Sequence, residues 1–200
     1  MNKRDLLSSA LVGAVAGAGF MPAGVGAQNK AKAAPGPALL TVTGLIGVAN
    51  RGAFDPVLDQ MMAKQKLTFS KAFTFDFASI TALPAITIKP TLEYDGKPHA
   101  LKGPLLVEVM KACGVNTSGN TAFFLRAVDG YAAHVPASDA GKYRFIVATH
   151  LDGLPMALGG LGPLWAVFDA DRYPDIAAKP LGERFGSCPW ATYHIEVMEG

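Results

Sequence analysis

The sequence predicts an α+β fold built mainly from mixed β-sheets, with few helices. Short strand-like runs, apolar or alternating with polar residues, outnumber the segments with helical spacing. Asp-Gly pairs, which favour tight hairpin turns, occur between strand-like segments at Asp95-Gly96, Asp129-Gly130 and Asp152-Gly153. Because hydrophobic residues make up 50% of the chain, we expect one packed domain rather than a disordered protein.

Residues 1–27 have the pattern of a cleavable signal peptide. Lys3 and Arg4 precede an uncharged apolar run over Leu6–Phe20, and Val25 and Ala27 provide a small-residue cleavage site. The run is shorter than the roughly 20 apolar residues of a membrane span, although an uncleaved anchor is the alternative. We therefore expect export to the periplasm, by either the general secretory or the twin-arginine route.

Residues 28–38 are rich in Ala, Lys, Gly and Pro, so we expect a flexible leader there and one domain over residues 39–200. No later apolar run of the sequence is long enough to span a bilayer. The formal net charge is only +2, which predicts no strongly basic surface for DNA, RNA or anionic lipid. Nucleic acid is therefore excluded as the main partner.

Strands and short helices are predicted to alternate in the first half of this domain. The predicted strands cover residues 39–43, 73–77 and 86–88, a helix covers 56–66, and the segment 76–83 fits either a continued strand or a short helix. Gly44 is expected to end the first of these strands, and Pro90 the last.

The clearest helix is predicted over Pro104–Cys113, where apolar residues recur on one face. Gly103 is expected at its N-cap, Pro104 at its first position and Gly114 at its end. Beyond it the pattern is mostly β. Strands are predicted over residues 123–127, 144–150, 164–168 and 192–197.

No sequence motif of a serine hydrolase, zinc protease, P-loop or dinucleotide-binding protein occurs, and the four histidines are scattered. Cys113 and Cys188 are the only cysteines. An oxidising compartment permits a disulfide between them, but a buried free thiol is equally compatible with the apolar helix face that carries Cys113. The residues alone therefore leave the function and the disulfide open.

A glycine-rich segment over residues 159–163 leads to Trp165. Glycines such as Gly162 allow a backbone to approach a ligand closely, and an indole ring can stack on a flat heteroaromatic ring. The alternative is a plain loop followed by a core tryptophan, which the residues alone favour because large aromatic side chains usually pack inside.

Four short motifs come in the same order as in a known family. They are Lys102–Leu106, Arg126–Tyr131, Asp152–Met156 and Gly162–Trp165, and Trp190–Val197 is similar to the family's closing strand. Together they resemble the oxidoreductase molybdopterin-binding, or sulfite-oxidase-like, domain over roughly residues 39–198. The resemblance implies the sulfite-oxidase-like molybdopterin-binding fold.

The chain departs from this family where its enzymes bind molybdenum through a cysteine. The corresponding segment, Ile86–Thr91, contains no cysteine, and no cluster of basic residues for a pterin phosphate is evident. The resemblance therefore implies a small exported branch that binds a pterin or molybdopterin-like ligand without molybdenum and is not an enzyme. Some members of that branch bind pterins in the periplasm and signal to a membrane-bound enzyme of cyclic di-GMP metabolism.

The resemblance also implies site residues, each with an alternative. Trp165 would stack on the pterin, with Gly162 beside it; Asp129 would accept hydrogen bonds from the amino-pyrimidine edge, or serve only its turn. Arg126 would pair with Asp129 or contact the ligand, and Tyr131 would flank the same hairpin or pack in the core. A molybdopterin-dependent oxidoreductase with non-standard metal ligation, and a module that recognises only another protein, are the alternative functions. The particular pterin, the partner and the oligomeric state stay open.

Overall fold

The computed structural model describes residues 35–117 and 119–200. The predicted signal peptide over 1–27 and residues 28–34 of the predicted leader lie outside the described residues. Gly36, in the last part of that leader, donates its N–H to the Asp76 carboxylate at 2.8 Å. Within the described part of the chain, no helix is both long enough and apolar enough to span a membrane.

Strands outnumber helices in the described residues. They are β1 (Leu40–Gly44), β2 (Phe73–Phe75), β3 (Ala85–Ile88), β4 (Leu101–Pro104), β5 (Thr121–Ala127), β6 (Ala132–Pro136), β7 (Ile146–Ala148), β8 (His150–Leu151), β9 (Leu154–Pro155), β10 (Trp165–Val167) and β11 (Thr192–Glu199). The helices are α1 (Gln60–Lys64), α2 (Phe77–Thr81), α3 (Leu106–Ala112), α4 (Ala137–Lys142) and α5 (Pro174–Ala177), with 3₁₀ turns at Ala170–Arg172 and Leu181–Glu183. The predicted α+β class with mixed sheets and few helices is confirmed.

The largest sheet has five strands in the order β2-β1-β11-β5-β6, and within it β1 and β11 run parallel while the other pairs are antiparallel. A four-stranded antiparallel sheet has the order β3-β4-β8-β9, and β7 pairs with β10. One hydrophobic cluster draws on all three, including Val42, Leu125, Leu101 and Ile146. Burial of these apolar side chains is the main term that stabilises the domain.

The three Asp-Gly pairs form turns, as predicted. Asp152 and Gly153 have φ angles of 48° and 85°, the left-handed pair that a two-residue hairpin between β8 and β9 requires. Gly130 has a φ of 93° in the loop that joins β5 to β6. Gly96, with a φ of 68°, lies in a turn closed by an antiparallel bridge between Thr91 and Pro98.

The predicted start of the clearest helix is wrong. Gly103 and Pro104 belong to β4, and α3 begins at Leu106 with Leu105 as its N-cap. A Cβ at Gly103 would lie 2.0 Å from the carbonyl oxygen of Val147, so glycine is needed there for a close strand crossing rather than for a cap. The predicted end of the helix is confirmed, because Gly114 has a φ of 68°.

Two other predicted elements begin clearly later than expected. The helix predicted over residues 56–66 is confined to α1, because the Asp55 carboxylate accepts the N–H groups of Val57 and Leu58 and forms a turn there. The strand predicted over residues 144–150 starts only at β7, because Arg144 has a φ of 51°.

The segment 76–83, which the sequence left open, contains the helix α2. Its Asp76 carboxylate accepts the N–H of Ser79 at 2.7 Å, and the Ser79 hydroxyl accepts the N–H of Asp76 in return. This reciprocal pair satisfies donors that a helix start leaves free, which favours the helix over a continued strand.

Candidate functional site

A cleft of about 250 Å³ lies where the turn after β3, the β5–β6 hairpin and the segment before β11 meet. We call it the aromatic cleft. Its lining includes Glu93, Tyr94, Asp129, Tyr131, Phe185 and Trp190. Cavities that combine aromatic walls with a few polar groups are typical ligand sites.

Three aromatic side chains give the aromatic cleft its character. Tyr94 is 55% exposed, Tyr131 is 50% exposed and Trp190 is 38% exposed. Tyr94 and Trp190 also line a neighbouring cavity of about 380 Å³, together with Gly159 and Gly160. We call it the open cavity. The two rings therefore lie at the junction of two cavities, where a flat ligand can contact both.

Two acidic side chains supply hydrogen-bond acceptors in the aromatic cleft. Asp129 accepts the N–H of Tyr131 at 2.9 Å through Oδ1, while its Oδ2 has no hydrogen bond or ion pair with a described residue. Partial desolvation, followed by the negative charge of the neighbouring Glu93, raises the pKa of Tyr94 to about 12. Tyr94 is therefore a neutral hydroxyl beside Glu93 at physiological pH.

Of the three hairpin residues predicted for the site, two line the aromatic cleft and one does not. Asp129 and Tyr131 line the aromatic cleft, and the Tyr131 hydroxyl donates to the carbonyl oxygen of Gly186 across it. Arg126 does not line it, because its guanidinium is 2.8 Å from Glu196 and lies over the ring of Phe124. Of the two roles expected for Arg126, the pair with Asp129 is not formed, because Arg126 forms a cross-strand ion pair with Glu196 of β11.

Trp165 packs behind the aromatic cleft instead of lining it. Its side chain is 1% exposed, and its indole N–H donates to the carbonyl oxygen of Cys188 at 2.9 Å. Its ring centroid is 6.1 Å from that of Phe185. Since Cys188 and Phe185 both line the cleft, Trp165 supports its wall from the core side and offers a ligand no open ring face in this structure.

Gly162 serves a close approach within the chain. A Cβ at this position would lie 2.4 Å from the Cβ of Met156. The crossing shapes the loop over residues 156–162, and Gly159 and Gly160 from that loop line the open cavity. The glycine-rich segment thus reaches the candidate site through its tip and not through Gly162.

The lining residues that the sequence did not indicate as site residues include Glu93, Tyr94, Phe185 and Trp190. Tyr94 directly precedes the Asp95-Gly96 turn, and Trp190 directly follows Pro189 in a loop. A large aromatic residue next to turn-forming residues is the signal that was available, because loops tend to carry binding residues. Sequence alone does not show that these two loops meet.

The cysteines are free buried thiols, so the disulfide that the sequence left open is not formed. Burial raises the pKa of Cys113 to about 12, and that of Cys188, which lines the aromatic cleft, to about 12 as well. Within the described residues, no group of three His, Cys, Asp or Glu side chains is arranged to share a metal ion. Cys188 therefore enters the cleft as a neutral thiol.

A second cleft of about 250 Å³ lies on the other side of the segment Phe185–Ser187, and we call it the polar cleft. Its ionisable lining residues are His134, Asp139, Tyr143, Lys179, Glu183 and Arg184. Gly186 borders both clefts. Basic residues therefore line the polar cleft, whereas none of the described residues that line the aromatic cleft is basic.

Comparison with known proteins gives no independent assignment of this site. No protein-family model matches the chain, and no curated protein is significantly similar to it in sequence.

Proposed function

We propose that this chain is an exported pterin-binding protein with a sulfite-oxidase-like molybdopterin-binding fold, and that the aromatic cleft is its ligand site. The four motifs in their shared order support the fold assignment. The segment Ile86–Thr91, where enzymes of that family carry their metal-binding cysteine, leads directly into Glu93 and Tyr94 of the aromatic cleft. The position of the cleft in the chain therefore agrees with the resemblance.

The observation that carries the proposal is the combination of Tyr94 and Trp190 with the carboxylates of Glu93 and Asp129. A pterin is a flat heteroaromatic ring whose amino-pyrimidine edge presents N–H donors. Stacking of a base on an aromatic side chain contributes about 1–3 kcal/mol, and hydrogen bonds to a charged group about 1.5–3 kcal/mol. The cleft offers both interactions within one cavity.

The role that we propose is a ligand-dependent signalling partner in the periplasm, acting on a membrane-bound enzyme that makes or degrades cyclic di-GMP. This part rests on the resemblance and on the predicted signal peptide, since a fold hosts many functions. It is tested separately by asking whether an adjacent gene encodes such an enzyme and whether its periplasmic domain binds this protein only in the presence of pterin.

The alternative, a molybdenum oxidoreductase, does not fit the residues present. A molybdopterin site needs a soft thiolate ligand and basic groups for the phosphate. The segment Ile86–Thr91 contains no cysteine, Cys188 comes from a different loop, and no basic side chain belongs to the described lining of the aromatic cleft. Stoichiometric molybdenum in protein made by a cofactor-competent host would favour the enzyme and overturn the proposal.

The binding test titrates the purified protein with a dihydropterin by calorimetry and tryptophan fluorescence. Trp190→Ala is expected to weaken binding roughly 5- to 150-fold, the equivalent of losing one stacking contact. Leu58→Ala, at an exposed apolar residue outside the cavities described above, is the matched control and should bind like the wild type. No binding at high micromolar ligand, or an unchanged affinity in Trp190→Ala, contradicts the proposal.

A further inference from the structure

We infer that the aromatic cleft selects its ligand by charge, accepting unphosphorylated pterins whose edge is rich in N–H donors and discriminating against phosphorylated pterins such as molybdopterin. This inference rests on the proposed function and adds the chemical class of the ligand. It follows from the charges that line the two neighbouring clefts.

The ionisable lining of the aromatic cleft is acidic or neutral. Glu93 and Asp129 contribute carboxylates, Tyr94 is a neutral hydroxyl, and Cys188 is a neutral thiol. None of the described residues that line this cleft, or the open cavity beside it, is Lys, Arg or His. A ligand phosphate placed here would meet like charges and no counter-charge.

Arg126, the basic residue of β5, does not neutralise the carboxylates of the aromatic cleft. Arg126 points away from the aromatic cleft, where Glu196 lies 2.8 Å from its guanidinium and His194 accepts a second hydrogen bond at 3.3 Å. Leaving Glu196 to reach a ligand would break this cross-strand ion pair and leave the buried ring of His194 without its donor.

The basic residues of the polar cleft, His134, Lys179 and Arg184, do not line the aromatic cleft. Gly186 lines both clefts, and its carbonyl oxygen accepts a hydrogen bond from the hydroxyl of Tyr131, which lines only the aromatic cleft. Arg184 is held by Asp171 at 2.9 Å and by the carbonyl oxygens of Lys179 and Ala177 at 3.0 and 2.6 Å. Its guanidinium is thus already hydrogen-bonded within the segment Asp171–Arg184.

Repulsion between a ligand phosphate and the two carboxylates would make a phosphorylated pterin bind more weakly than an unphosphorylated one. A phosphate ester carries up to two negative charges, and repulsion from nearby carboxylates grows as a site becomes less exposed to water. We expect a phosphorylated pterin to bind at least about 10-fold more weakly than its unphosphorylated parent, with the gap narrowing at high salt. The carboxylates also accept hydrogen bonds from the ring, so the same two residues attract one ligand and repel the other.

The experiment measures dissociation constants for 6-hydroxymethyl-dihydropterin and for its phosphate ester, at low and at 0.5 M salt, with the full exported protein. Glu93→Gln combined with Asp129→Asn is expected to weaken binding of the parent pterin and to leave binding of the ester unchanged or tighter. Glu183→Gln removes one negative charge from the polar cleft and is the matched control. Thermal unfolding of each variant shows whether the fold is retained.

Three outcomes are distinguishable. Preference for the parent pterin that shrinks in the double variant supports the inference. Equal or tighter binding of the ester overturns it while leaving pterin binding intact, and loss of that ester binding in Lys179→Ala would assign the phosphate to the polar cleft. If neither ligand binds the wild-type protein, the proposed function itself fails and the inference falls with it.

Discussion

Trp165 and Trp190 lie on opposite sides of the wall of the aromatic cleft, and they differ in burial. Trp165 packs against Phe185 from the core and is 1% exposed, whereas Trp190 lines the aromatic cleft and is 38% exposed. The buried ring has its N–H satisfied by Cys188, as a polar group in the core must. The indole that supports the wall of the aromatic cleft from the core and the indole that lines the cleft are therefore different residues.

Two histidines, one buried and one closer to the surface, differ in the direction in which their pKa values are shifted. His194 is buried between Arg126 and Thr43; because a guanidinium only donates, Nδ1 accepts and Nε2 carries the proton that is donated to Thr43 at 3.0 Å. Burial, and then the charge of Arg126, lower its pKa to about 3. His99 instead lies between the carboxylates of Asp152 and Asp95, at 2.7 and 3.1 Å, which raise its pKa.

The largest expected effect separates the two tryptophans by stability. Trp165→Ala should lower the free energy of unfolding by about 3–5 kcal/mol, because it leaves a cavity and removes the partner of the Cys188 carbonyl. Trp190→Ala should change it by no more than about 1 kcal/mol. Urea denaturation followed by circular dichroism measures both values. A greater loss in Trp190→Ala than in Trp165→Ala would contradict the division of roles.

The second largest effect is expected on the pH dependence of the free energy of unfolding, and it comes from His194. Since the pKa of His194 is lowered from 6.5 to about 3, the unfolded chain binds more protons between these values. Its contribution to stability is complete above pH 6.5 and decreases as the pH falls, by up to about 1.4 kcal/mol for each pH unit. Urea denaturation between pH 6.5 and 4.5 measures the slope above the range in which most carboxylates titrate.

His194→Gln is the matched variant for this measurement, because its amide can accept from Arg126 and donate to Thr43 without titrating. We expect it to be less stable than the wild type at pH 7 and to show a smaller slope between pH 6.5 and 4.5. A slope as steep as that of the wild type would show that other groups cause the acid sensitivity.

Much of the fold follows from local signals in the sequence. The Asp-Gly turns and the glycine that ends α3 were predicted because a left-handed backbone conformation is a local requirement. Gly103 was misassigned because its reason is not local. The carbonyl of Val147, more than forty residues later, leaves no room for a side chain there. A pattern of neighbouring residues cannot distinguish these two uses of glycine.

The site was predictable only where one hairpin supplies it. Asp129 and Tyr131, two of the site residues expected from the sequence, share a turn and both line the aromatic cleft. Tyr94 and Trp190 come from loops almost a hundred residues apart, and only the packing of the sheets brings them together. Burial of Trp165 has the same kind of cause, since its partners Phe185 and Cys188 arrive from a distant loop.

The smallest effect is expected from His99, at the surface. Its two ring nitrogens face carboxylates that only accept, so both hydrogen bonds require the protonated ring, and the neutral ring keeps one. Because its folded-state pKa is raised above 6.5, its contribution is complete below pH 6.5 and is lost as the pH rises through the raised value. This direction is opposite to that of His194.

This histidine joins the turn next to Tyr94 to the β8–β9 hairpin, so its loss should loosen one edge of the aromatic cleft. Thermal unfolding midpoints between pH 6 and 8.5 should fall slightly more steeply in the wild type than in His99→Gln, which cannot be protonated. The difference should shrink at 0.5 M salt, because the ion pairs are exposed. Equal slopes at low salt would show that His99 does not hold the two turns together, and the contrast between the histidines would then reduce to the burial of His194.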